Sequence, residues 1–107
     1  MTDLEMVKLD GWALELIKEQ TPEICLAAVK RNGWALRFVK KQTPEICLEA
    51  VKQNCWALFY VDKQTPEICF AAVKQNPDAI ACVTDPACLN AIRKQYPELI
   101  ARLYDRP

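Results

Sequence analysis

Three near-identical strings, EQTPEICLAAVKRN, KQTPEICLEAVKQN and KQTPEICFAAVKQN, begin at residues 19, 41 and 63, a fixed step of 22. A period in the twenties leaves few options. Each unit is one supersecondary piece that cannot bury its apolar face alone, and stacking the pieces closes a continuous core. Trp12, Trp34 and Trp56 keep the same step, as do Pro22, Pro44 and Pro66, and Cys25, Cys47 and Cys69. The spacing predicts an all-α fold, an α-solenoid of about ten short helices in 22-residue helical-hairpin repeats.

Each unit divides into two halves, NGWALRFVKKQ and TPEICLEAVKQ in the second copy. In the latter, Thr43 is a good N-cap, Pro44 suits the first helical position and Glu45 complements the positive helix end. In the former, Asn32–Gly33 taken alone suggests a left-handed glycine ending the preceding helix. The fourth copy decides against that. Pro77 fills the same slot and its φ is fixed near −65°, so Gly33, Cys55 and Pro77 should open helices, with Asn32, Asn54 and Asn76 as one-residue corners and N-caps. Both halves then read as helices of roughly nine or ten residues, near 15 Å long, paired antiparallel in a right-handed solenoid with further corners at Thr43 and Thr65. The chain forms a single domain, 1–107: a partial unit at 1–9, full repeats at 10–31, 32–53 and 54–75, a shortened repeat at 76–95, and a C-terminal half-unit cap at 96–107.

Helical spacing sorts the faces. Ile46, Cys47, Ala50 and Val51 share an arc opposed by Glu45, Glu49 and Lys52. Cys25, Cys47 and Cys69 therefore read as core residues packing as small hydrophobes. With six cysteines but no histidine and no C-x-x-C pair, neither a zinc site nor any other metal site is expected. The start, MTDLEMVKLD, has neither the basic region nor the apolar run of a signal peptide, and no apolar run approaches the ~18 residues of a membrane span. These features predict a cytoplasmic protein, of the producing cell or of its host, with reduced cysteines and no disulfides.

The first half carries a wider apolar sector. Ala35, Leu36 and Val39 form its inner arc, and Trp34 with Phe38, like Trp12 with Leu16 and Trp56 with Tyr60, stands at i and i+4, where side chains of an α-helix stack. Two readings fit the stripe: tryptophans wedged between units as core, or a groove that grips a partner. The stripe stops abruptly, with Asp78 and Glu98 in the tryptophan slot, and Phe59 stands where other units carry Glu15 and Arg37. The candidate partner contact is therefore Trp34, Trp56, Phe59 and Tyr60, with Arg37 and Lys41 as a basic rim.

Net charge is zero but unevenly spread. Residues 1–29 carry two lysines against six acids, and residues 30–52 carry six Lys/Arg against two Glu. A lysine recurs in each unit at Lys8, Lys30, Lys52, Lys74 and Lys94, which admits a phosphate-tracking row. Glu23, Glu45 and Glu67 lie on the same face and counter it, so a solvated mixed-charge face is expected and nucleic-acid binding at physiological salt is not.

The string AVKRNGWALRFVKKQTPEICLEAVKQN closely resembles a family of tandem helical repeats of unknown function, found in many bacterial and protist proteins. Its unit reads approximately A-V-x-x-N-G-x-A-L-x-Y/F, followed by a linker and an E-I-V-L-type second helix. The resemblance covers residues 10–83 well and implies an α-solenoid, with no assigned activity. Family repeats usually tolerate many residue types in the slot of Trp12, Trp34 and Trp56, so three tryptophans there imply a purpose beyond the fold. Cysteine at Cys25, Cys47 and Cys69 replaces the usual aliphatic.

An enzyme is not expected. There is no histidine and no serine in the chain, no glycine-rich phosphate loop, and no catalytic residue or cofactor site can be named. Cys55 is the one thiol that this reading places at a helix N-terminus, where the dipole lowers a thiol pKa, making it the expected most reactive cysteine, without a nearby base. The expected class is a protein-binding helical-repeat module, monomeric or weakly self-associating. The start at Met1 and the degenerate last unit favour a free-standing stoichiometric inhibitor or effector that blocks a larger partner, of phage or pathogen type. The alternatives are a generic scaffold or adaptor fragment of a longer repeat array and, more weakly, nucleic-acid binding through the basic middle repeat.

Overall fold

The computed structural model describes residues 1–104, with side chains described through residue 101. Six α-helices and four 3-10 helices alternate along most of the chain: α1 (Asp3–Leu9), η1 (Gly11–Leu16), α2 (Pro22–Arg31), η2 (Gly33–Phe38), α3 (Pro44–Gln53), η3 (Cys55–Tyr60), α4 (Pro66–Gln75), η4 (Pro77–Cys82), α5 (Pro86–Gln95) and α6 (Pro97–Tyr104). Among the described residues there is no strand. Residues 105–107 of the expected C-terminal half-unit lie outside the described residues.

Successive α-helices pack on one another, successive 3-10 helices do the same, and α2, α3 and α4 each bridge two 3-10 helices. The radius of gyration is 15.1 Å and the extents are 52 × 23 × 15 Å, against the roughly 13 Å expected of a globule this size. The stack is elongated, as a helical repeat solenoid requires. No helix among the described residues is long and apolar enough to cross a membrane.

The α halves follow from their caps. Thr21, Thr43 and Thr65 hydroxyls accept from the amides of Ile24, Ile46 and Ile68 at 3.2, 3.2 and 3.3 Å, each ahead of a proline in the first turn. Asn32, Asn54 and Asn76 end one helix and open the next: each side-chain oxygen accepts from the amide two residues on at 3.0 Å. No glycine has a positive φ. Gly33 opens η2 and is needed there for close approach instead, since a Cβ would fall 2.5 Å from the Ala50 carbonyl oxygen.

The first halves differ from the expected nine- or ten-residue helices. Each is a 3-10 helix of six residues, followed by an extended residue, Ile17, Val39, Val61 or Val83, whose amide still reaches back three residues. In three of the four, a glutamine from the preceding corner bonds the backbone where the helix ends; η1, which has no such glutamine, ends at the same length. The Gln42 carboxamide donates to the Tyr60 carbonyl at 2.7 Å and accepts from the Asp62 amide at 2.9 Å, spanning Val61. Gln20 does the same at Phe38 and Lys40, and Gln64 at Cys82 and Thr84. These side chains supply what continued helix would have given the backbone, because buried main-chain groups need partners. They also stitch each unit to the next.

The cysteines join this device. The thiols of Cys25, Cys47 and Cys69 donate to the Oε1 atoms of Gln20, Gln42 and Gln64 at 3.7, 3.3 and 3.8 Å. All three are buried in the core with Leu14, Leu36, Leu58, Ile46, Ile68 and their neighbours.

Candidate protein-binding surface

The 3-10 geometry rearranges the aromatic stripe. With three residues per turn, positions i and i+3 eclipse while i and i+4 lie about 120° apart. The expected stacking of Trp34 on Phe38 and of Trp56 on Tyr60 within one helix therefore does not occur. Rings pair between units instead. Trp12 meets Phe38 edge-on at 5.4 Å between centroids, and Trp34 meets Tyr60 at 5.8 Å. Trp56 has no aromatic in the corresponding slot, which holds Cys82, and the residue is 36% exposed.

The same geometry aligns Trp34 with Arg37, and Trp56 with Phe59, as outward ridges three residues apart. Phe59 is 70% exposed and touches Tyr60 at 5.2 Å. Arg37 is exposed, and its guanidinium carbon stands 5.9, 5.2 and 5.6 Å from the ring centroids of Trp12, Phe38 and Tyr60. Tyr60 is thus the hub that brings Trp34, Arg37 and Phe59 together. Lys41 is exposed but lies outside this cluster, on a groove with Lys18, Pro22, Thr43 and Ile46. The tryptophans do not share one environment. Trp34 is half-buried between units, whereas Trp12 and Trp56 are exposed.

Trp12 and Leu16 extend the surface and were missing from the sequence-based set. Leu16 is 76% exposed because its slot, filled by Phe38 and Tyr60 in later units, has no preceding tryptophan to cover it. The signal was available: residues 26 apart in sequence, rather than four apart, face each other when units stack.

A second surface lies on the α-helical layer. Leu4, Leu26, Lys8, Lys30, Arg31 and Glu23 line one groove of about 440 Å³, and Leu48, Phe70, Lys52, Lys74 and Glu67 line another of about 300 Å³. The recurring lysines therefore share their grooves with carboxylates.

Cys55 does not behave as its place at a helix start predicts. It is buried, and burial pushes its thiol pKa up against the lowering pull of the Cys55 and Trp56 amides. Burial likewise raises Cys47 to about 11, helped by the Asp62 charge, and Cys69 to about 12, helped by Cys88 and Asp85. Cys82 is the most accessible of the six free thiols. Among the described residues no three His, Cys, Asp or Glu side chains gather where they could hold a metal ion.

Two tandem matches to the family described as Domain of unknown function (DUF4116) cover residues 4–43 and 43–85. The chain belongs to the DUF4116 family. Each DUF4116 match spans close to two 22-residue units, so both begin and end within the stack described above. No curated protein and no solved structure matches the chain.

Proposed function

We propose that the chain is a protein-binding helical-repeat module acting by occupancy, as a stoichiometric inhibitor or effector of a larger partner, through the aromatic edge of its 3-10 layer. One observation carries this reading. Phe59 is 70% exposed on a helix that already buries Cys55, Ala57 and Leu58 in the core, so its ring, apart from an edge-on contact with Tyr60, lies outside the packing of the core. Exposed aromatics beside an arginine have the composition of binding hot spots. Six free thiols support a reducing cytoplasm as the setting.

The test compares wild-type and Phe59→Ala proteins as bait in the native host or its prey, followed by titration of the recovered partner. Phe59→Ala should melt at the wild-type temperature and lose about 2 kcal/mol or more of binding. A partner held equally well by both proteins would sink the reading.

The grooves of the α-helical layer favour a second reading, an adaptor that meets one protein on each layer. Simultaneous binding of two proteins, with only one sensitive to Phe59→Ala, would establish it.

A further inference from the structure

We infer that the segment recognised at the aromatic edge is an acidic, amphipathic stretch of a partner protein, with a carboxylate docked on Arg37 and apolar side chains placed against Trp12 on one side and Phe59 on the other. This inference rests on the reading of that edge as the partner surface and adds the chemistry of what it takes.

Arg37 is the reason. Its guanidinium lies within 6 Å of three ring centroids contributed by three successive units, Trp12, Phe38 and Tyr60. Rings hold the group by its cationic face and leave its N–H fork uncommitted. Among the described residues Arg37 makes no ion pair and no hydrogen bond. A long flexible side chain is thus held in place beforehand, which lowers the ordering cost of binding. A planar fork fixed in this way matches a carboxylate bidentately.

The surrounding charge has the same sign. Lys40 and Lys41 follow Arg37 and are exposed, and from residue 30 to residue 44 the chain holds no acid at all. The sign then changes along the ridge. Glu15 fills the Arg37 slot one unit earlier, Phe59 fills it one unit later, and Asp78 fills the tryptophan slot beyond Trp56. An anionic lipid surface or a nucleic-acid backbone laid along the edge would meet those carboxylates. A protein segment can match the order instead, with a basic group facing Glu15, an acidic one facing Arg37 and an apolar one facing Phe59. Opposed charge in register of this kind gives an interface its specificity.

The test pans a phage library of random peptides of about 16 residues on the full chain. Enriched peptides should carry Asp or Glu between apolar residues. They should lose about tenfold or more in affinity to both Arg37→Gln and Phe59→Ala, with thermal melting of each variant confirming its fold. Replacing the peptide carboxylate by an amide should cost affinity for wild type and nothing further for Arg37→Gln. Peptides that depend on Phe59 but lack an acid, or that ignore Arg37→Gln, would overturn the inference and leave the protein-binding reading standing. Peptides indifferent to Phe59→Ala, or no enrichment at all, would remove the inference, and the bait comparison above then decides the broader reading. Binding to phosphatidylserine vesicles that Phe59→Ala abolishes would replace it with a membrane surface.

Discussion

The side-chain amide of Gln42 donates to the main-chain carbonyl of Tyr60 at 2.7 Å, one unit further along the stack. The same carboxamide accepts from the Asp62 amide and from the Cys47 thiol. A corner residue of one repeat therefore bonds the end of the 3-10 helix of the next repeat, and it ties down Tyr60, the hub of the aromatic edge, through its carbonyl.

Gln42→Ala should destabilise the protein by about 1–3 kcal/mol, because it strands the part-buried Tyr60 carbonyl and removes the bonds from the Cys47 thiol and the Asp62 amide. Chemical denaturation followed by circular dichroism reads this directly. An exposed glutamine such as Gln53 replaced by alanine serves as the control and should change stability by less than about 0.5 kcal/mol.

Gly33→Ala places a Cβ 2.5 Å from the Ala50 carbonyl oxygen and 3.0 Å from the Asn54 Cβ. Backbone cannot yield as a side chain tip can, so η2 and α3 must separate. A loss of about 1–3 kcal/mol is expected, in the range of overpacked cores. A melting temperature unchanged from wild type would show that the stack breathes more easily than its contacts indicate.

Trp34→Ala should cost more stability than Trp56→Ala. Trp34 is half-buried and lies edge-on against Tyr60 of the following unit, whereas Trp56 lacks such an aromatic partner. Thermal melts of the two variants side by side decide the order, and equal losses would contradict the cross-unit pairing.

Alkaline pH should weaken the fold through its thiols. Burial holds the folded pKa values of Cys47 and Cys69 at about 11 and about 12, above the ordinary thiol value of 9.0. The unfolded chain therefore releases protons first as pH rises, and stability falls with pH in that window. The contribution is fully present below pH 9 and is lost as pH climbs through 9 toward 11 and 12. Melting temperatures between pH 8 and 11 should drop, and a Cys47→Val, Cys69→Val variant should show a shallower decline.

Alkylation by iodoacetamide, followed by peptide mapping, should label Cys82 first, since it is half-buried while the other five thiols are buried. Cys69 should be last. Faster labelling of Cys55 would mean that its helix-start amides outweigh burial after all.

The period, the asparagine and threonine corners and the α halves were legible because each rests on local chemistry: a cap, a proline, a small core residue. The exposure of Phe59 was legible too, by comparison with Glu15 and Arg37 in the same slot. The 3-10 halves were not. Three of the four are bonded at their ends by a glutamine amide 18 residues earlier in the chain, a contact across units that local patterns do not show, and wheel spacing at 100° per residue assumes the α-helix it sets out to find. That assumption also misplaced the ring pairs, which form across units. Cys55 misled for a related reason: its helix-start position is local, but its burial comes from neighbouring units.

Among the described residues substantial packing joins only adjoining units, and the glutamine that ties η2, η3 and η4 to the unit before travels within the repeat. A gene that duplicates or loses 22 codons therefore lengthens or shortens the protein without redrawing any existing junction. The slot of Glu15, Arg37, Phe59 and Ala81 is exposed in all four units, so substitutions there leave the buried core untouched. Under the function proposed above, specificity would be a short word, one letter per repeat, spelled on a backbone that does not need to know what it says.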